Sequence, residues 1–283
     1  MYRVKSSFYK NVALLSIPIV LLVILVSAAG LLYANLYEKE TLNWSTQAYG
    51  QDMIDLFVIS PFLILSSWLV YQKKEVGVLL WSGIIFYLIY TFVIYAFGVH
   101  FNQLFIVYCL ILGLAFYVFI YFLLTFSRHQ VKAWFSNKIP RQVIGFYFIV
   151  LGALFYMLWL MEILPANISN TTPQIIIDTE LLVNPIHALD LSVCLPGIII
   201  VGILLLQKKD LGFLLAPTIL VFFILMDLTI GVLTFVMNIR GLTSNMNLIL
   251  IMTILAIFSA VLLLLYLGGI KRNNQEHIMN RNE

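Results

Sequence analysis

Long runs of apolar side chains leave this chain almost no choice of solvent. Residues 12–33 carry no charged group, and comparable runs recur along all 283 residues. A helix of about 20 such residues crosses the roughly 30 Å of hydrocarbon in a bilayer. Inside lipid every backbone N–H and C=O must bond within the protein, which admits only helices or closed barrels. Barrel strands alternate apolar and polar residues, and these runs do not. Charged residues make up 10% of the chain, against about 25% in a soluble domain, too few to cover a water-soluble globule. The expected fold is therefore all-α, a polytopic membrane protein.

The runs predict eight transmembrane helices, over residues 11–36, 52–71, 77–99, 104–126, 141–164, 184–207, 211–237 and 247–267. One phrase occurs twice among them. Asp55, Pro61, Gln72-Lys73-Lys74 and Gly77 recur as Asp190, Pro196, Gln207-Lys208-Lys209 and Gly212, each second member 135 residues after the first. The same offset carries Asp52 onto His187. This predicts two parallel four-helix repeats related by an axis along the membrane normal. The first is residues 1–127 and the second 141–270. A basic linker, 128–140, joins them, with Trp134 and Phe135 suited to the membrane interface. A polar tail, 271–283, follows and reads as disordered.

Orientation follows from the basic residues, since cytoplasmic loops are enriched in Lys and Arg. Of 16 such residues only Lys39 and Arg240 fall on one side of the predicted membrane. The other side, with both termini, the linker and both Lys-Lys turns, is expected to be cytoplasmic, in a plasma membrane. Positive charge there suits helix C-termini and anionic lipid. Gly77 and Gly212 then allow the paired helices to approach closely. The net charge of +3 does not indicate nucleic-acid binding, because the basic residues sit at helix ends. No feature specifies an oligomeric state.

The opposite, outer side is acidic, and candidate ligand-binding residues gather there. His187 and Asp190 share a helix face three residues apart, as do Asp52 and Asp55. Asn184-Pro185 is a strong helix start. Asp52 is expected in a first helical turn, where the dipole alone favours a carboxylate. Asp55 and Asp190 lie a turn deeper, where an unpaired charge is costly. Pro61 and Pro196 follow six residues on and should bend each helix, freeing the carbonyls of Phe57 and Ser192. If the two helices meet, Asp55 and Asp190 face each other, and Asp52, His187 and His100 can join them. Such a group suits protons, a cation or a small solute; histidine adds a transition metal. The competing reading is a pair of capped helix starts with no ligand. Asp227 stands apart, inside the seventh run. It is either an intramembrane functional acid or a carboxyl group bonded to a neighbouring Tyr, Thr or Asn.

Other signals are weaker. Tyr87, Tyr90 and Tyr95 fit an interfacial belt or packing. Cys109 and Cys194 sit in apolar runs and read as packing residues. No Gly-rich phosphate loop, His-Glu-x-x-His, Gly-x-Ser-x-Gly or Cys-x-x-Cys-His occurs, so no cofactor is expected. Glycosylation acceptor patterns at Asn43, Asn167 and Asn170 matter only in a cell that glycosylates its surface proteins.

The segments 47–52, 95–102, 184–191 and 211–217 resemble a group of uncharacterised bacterial multi-pass membrane proteins. The resemblance implies a bacterial plasma membrane and brings no activity or catalytic residue. Three functions remain open: transport or binding of a small solute, proton or cation at the acidic mouth; a non-catalytic subunit, assembly factor or sensor; and a membrane-embedded enzyme. A water-filled path between the halves would mark the first. An exposed polar groove would mark the second. Convergence of Asp55, His187 and Asp190 would mark the third.

Overall fold

The computed structural model describes residues 6–33, 35–126, 131–136, 139–242 and 245–271. Six basic residues of the orientation argument (Arg3, Lys5, Arg128, Lys138, Arg272 and Arg281), and all but the first residue of the tail, lie outside these. Eight helices are long and apolar enough to span a membrane: α1 Ser6–Leu32, α2 Leu42–Tyr71, α3 Glu75–Gly98, α4 Phe105–Phe126, α5 Arg141–Ile168, α6 Pro185–Leu206, α7 Asp210–Ile239 and α8 Met246–Leu267. A short helix, Gln174–Thr179, lies in the loop between α5 and α6. Among the described residues there is no strand, only an isolated bridge between Phe135 and Ile270. The fold is all-α and polytopic.

The centre of the bundle is the crossing of α3 and α7. Buried residues fill 72% of the most apolar window of α3 and 56% of that of α7, against 22–39% in the other six helices. Gly83 lets the two backbones approach: a Cβ there would strike the Val221 side chain and stand 2.9 Å from the Thr218 carbonyl. Ser82 Oγ and Thr218 Oγ1 bond across the crossing at 2.8 Å. Trp81, Leu88 and Phe92 are fully buried. The outer helices turn Leu21, Phe57, Trp68, Leu158 and Ile254 outward, as surfaces against lipid must. Helix α1 packs on α2 and α5 on α6; α2 packs on α3 and α6 on α7; α3 packs on α4 and α7 on α8. Crosswise, α2 meets α7 and the start of α6 meets α3.

Both occurrences of the repeated phrase adopt the same local structure. Lys73 and Lys208 take φ of 61° and 60°, and Lys74 and Lys209 are extended caps of the next helix. At each Asp the helix widens into a π turn, Asp55–Ile59 and Asp190–Cys194, closed by the Ser60 and Leu195 N–H groups on the Asp55 and Asp190 carbonyls. The expected proline bend with a freed carbonyl thus takes another form, an added residue in the turn just before each proline.

Three boundaries differ from the hydrophobic runs. Helix α2 begins at Leu42, ten residues before the apolar stretch. Thr41 accepts the Trp44 N–H at its start. The polar turns between survive because one face is covered: Gly50 lies against Leu233 of α7, and Trp44 and Thr46 are buried. Asp52 is therefore not in a first turn, and the dipole account of it fails. Helix α1 begins at Ser6 and closes at Leu32, and α5 continues through Pro165 to Ile168. In the linker, Trp134 and Phe135 are buried against Phe126, Phe213 and Tyr266.

Candidate functional site

Asp52 and Asp55 sit in mid-helix, fully buried. Asp55 and Asp190 each stand 16 residues from the lysine-turn end of their helices, Tyr71 and Leu206, which is about 24 Å of helix. Asp52 receives two phenols: Tyr37 donates to Oδ2 at 2.7 Å and Tyr95 to Oδ1 at 2.8 Å. Tyr37 lies between α1 and α2. Burial, with Asp52 beside it, pushes its phenol well above the usual tyrosine range, so it remains a donor. Gly30 of α1 makes the space: a Cβ there would overlap the Asp52 carboxylate.

Asp55 is less well served. Gln51 Nε2 donates to its Oδ1 at 3.0 Å and to the Tyr87 hydroxyl at 2.8 Å. Thr229 gives its own proton to the Leu225 carbonyl, so Tyr87 donates to Thr229 Oγ1 at 2.7 Å. A chain of hydrogen bonds, diverging from the Gln51 amide, therefore joins Asp55 to the central crossing. Asp55 Oδ2 is buried with no partner, and so is Ser27 Oγ of α1. Helices α1 and α2 are antiparallel and meet at Gly30 and Asp52. Ser27 is three residues below one and Asp55 three below the other, so both orphan oxygens stand at one depth. Among the described residues no Lys, Arg or His forms an ion pair with either carboxylate.

The second occurrence is built differently. Asp190 accepts Trp159 Nε1 at 2.8 Å and the Tyr90 hydroxyl at 3.0 Å, one donor on each oxygen. His187 packs its ring on Trp159, with centroids 4.4 Å apart. Its Nε2 lies 3.9 Å from Glu162 Oε2, too far for a hydrogen bond, and has no other partner. Helix α3 serves both places, Tyr87 and Tyr95 toward the first pair and Tyr90 toward Asp190.

Asp55 and Asp190 thus have separate partners rather than a shared one. His100 is apart from both: it bonds Glu40 through its N–H at 2.6 Å and Nδ1 at 2.9 Å, tying the α1–α2 loop to the end of α3. Asp227 is buried in α7, and no hydrogen bond joins it to a Tyr, Thr or Asn among the described residues. Among the described residues no three His, Cys, Asp or Glu side chains are grouped to hold a metal ion. A cavity of about 530 Å³ opens at this end between α3 and α6. Its walls are mostly apolar, including Val93, Phe97, Leu182, Pro185 and Leu189, and the buried carboxylates do not line it.

Sequence reasoning missed Tyr37, Gln51 and Trp159, and read Tyr87, Tyr90 and Tyr95 as interfacial belt or packing. A polar residue one turn before Asp55, as Gln51 is, was the available signal. No family model, no curated protein and no solved structure matches the chain. The resemblance to bacterial multi-pass proteins therefore has no match behind it, and function rests on the site.

Proposed function

We propose that this membrane protein binds a proton or a small monovalent cation at Asp52 and Asp55. One observation carries the reading: two fully buried carboxyl groups three residues apart, surrounded by neutral donors, with one oxygen unpartnered. Charge buried in a low-dielectric interior needs compensation. No basic side chain supplies it, so a bound proton or cation does. Three of the four carboxylate oxygens already accept donors, which leaves too few for a divalent ion that seeks six or more oxygens and favours a proton, which needs one. The bundle is a duplicated scaffold in which the first copy keeps this open valence and the second fills it with Trp159 and Tyr90. Transport through the bundle would require α1 or the packed α3–α7 crossing to move, because neither the α3–α6 cavity nor the one at the lysine-turn end is lined by the carboxylates. Without convergence of Asp55, His187 and Asp190, an enzyme site built on those three gains no support.

The test uses purified full-length protein. Sodium, potassium and lithium chloride are titrated at constant ionic strength against tryptophan fluorescence, and proton uptake is followed in liposomes with a trapped pH dye. Wild type should respond to a proton or one of these ions, and Asp55→Asn should weaken the response at least about tenfold, the loss of one charged contact. An unchanged response in Asp52→Asn/Asp55→Asn would sink the proposal.

The lysine turns and termini are placed on the cytoplasmic face of a plasma membrane, a bacterial one on the resemblance. In a background without Cys109 and Cys194, an impermeant thiol reagent on intact cells should label Asn170→Cys and spare Lys73→Cys. The reverse pattern would invert the molecule.

A further inference from the structure

At the lysine-turn end the linker, the α6–α7 turn and the residues after α8 border an open cavity of about 650 Å³. Lys132, Arg141, Lys208 and Lys271 line it, with Asp210 the one acid. Backbone bonds knit the walls together: Ser136 N–H to the Gly269 carbonyl at 2.8 Å and Lys271 N–H to the Trp134 carbonyl at 2.9 Å. Asp210 Oδ1 already accepts the Lys132 backbone N–H at 3.0 Å, and Arg141 Nη1 is held on the Leu206 carbonyl at 3.1 Å. The ammonium groups of Lys132, Lys208 and Lys271 make no ion pair with any described residue. The left-handed backbone at Lys208 fixes the turn from which its side chain leaves.

An open cavity bordered by four cations is more than a positive membrane face. Lysines along a single helix end attract anionic lipid without selecting a headgroup. Here three chain segments, far apart in sequence, bring unpaired ammonium groups around a space larger than one phosphate. We propose that this cavity is a binding site for a phosphate ester, either an anionic phospholipid headgroup or a soluble phosphate of similar size. Lysine supplies the charge, and Arg141 adds planar donors suited to phosphate oxygens. The other lysine turn, Lys73-Lys74, serves as the internal control, since the linker packs on α7.

Full-length protein in neutral detergent is examined by native mass spectrometry with phosphatidylglycerol or phosphatidylcholine. In parallel, thermal unfolding is followed with inorganic phosphate and glycerol 3-phosphate. Wild type should retain phosphatidylglycerol over phosphatidylcholine, or be stabilised by the soluble phosphates if those are the ligand. The triple substitution Lys132→Ala/Lys208→Ala/Lys271→Ala should lower the occupancy or stabilisation at least about tenfold, while Lys73→Ala/Lys74→Ala keeps it. The matching triple Lys→Arg protein should bind as wild type does, which separates charge from folding. Equal losses in the two alanine proteins, or no preference for any phosphate compound over phosphatidylcholine in wild type, would overturn the assignment.

Discussion

Replacing Gly30 by alanine should destabilise the fold by about 3–5 kcal/mol, the sum of overpacking and a broken buried hydrogen bond to a charged group. The added Cβ would overlap Asp52 Oδ2 and stand 2.6 Å from Asp52 Cγ and 2.9 Å from the Tyr37 hydroxyl. The carboxyl group must leave the space between its two phenols; Tyr37 then loses its acceptor, and Tyr95 keeps only the longer bond to the Ala48 carbonyl at 3.4 Å. The same alanine in an Asp52→Ala background meets no carboxylate and should cost about 1 kcal/mol or less, since little overpacking remains. Thermal unfolding of the four proteins of this cycle in one detergent measures the difference. An equal cost of Gly30→Ala in both backgrounds would show that Asp52 does not occupy that space.

Gly212→Ala should be nearly as damaging, at about 3 kcal/mol, because the obstructing atoms are backbone. Its Cβ would strike the Leu205 N and lie 2.6 Å from the Leu204 carbonyl carbon. Those atoms belong to the last turn of α6, which the Lys208 and Lys209 N–H groups clamp to the Leu205 and Leu204 carbonyls. Gly77 faces the same obstruction from Leu69 and Val70, the latter at 2.7 Å. Gly231 has nothing within 4 Å, so alanine there should be neutral or gain up to about 1 kcal/mol from helix propensity. The fraction eluting as a single species after mild heating reports the contrast. Should Gly212→Ala behave as Gly231→Ala does, the close approach of α6 and α7 is wrong.

Much of the architecture was legible because lipid couples hydrophobicity to helix so tightly. All eight spans, the Asn184 cap and the close-packing role of Gly77 and Gly212 follow from one-dimensional cues. The start of α2 was not legible. Residues 43–51 are polar, and only contact with α7 explains why they remain helical. The tyrosines were opaque for a related reason. Whether Tyr95 points at headgroups or at Asp52 depends on which helix lies beside α3, and spacing within α3 carries no such information. The repeated phrase located Asp55 and Asp190 but not their difference. That difference comes from Trp159 on α5, which donates to Asp190.

The π turns at Asp55 and Asp190 also set the mechanical character of α2 and α6. Each adds one residue to a helical turn, so the segment above it is rotated by about 100° relative to an unbroken α-helix. The acid-bearing upper part and the packed lower part therefore choose their neighbours separately, like two sections of a shaft keyed at different angles. Sliding the wide turn a few residues along α2 would rotate Asp52 and Asp55 about the helix axis while every helix stayed whole. The wide turn at each acid thus lets the buried carboxylates and the packed lower helix follow different registers.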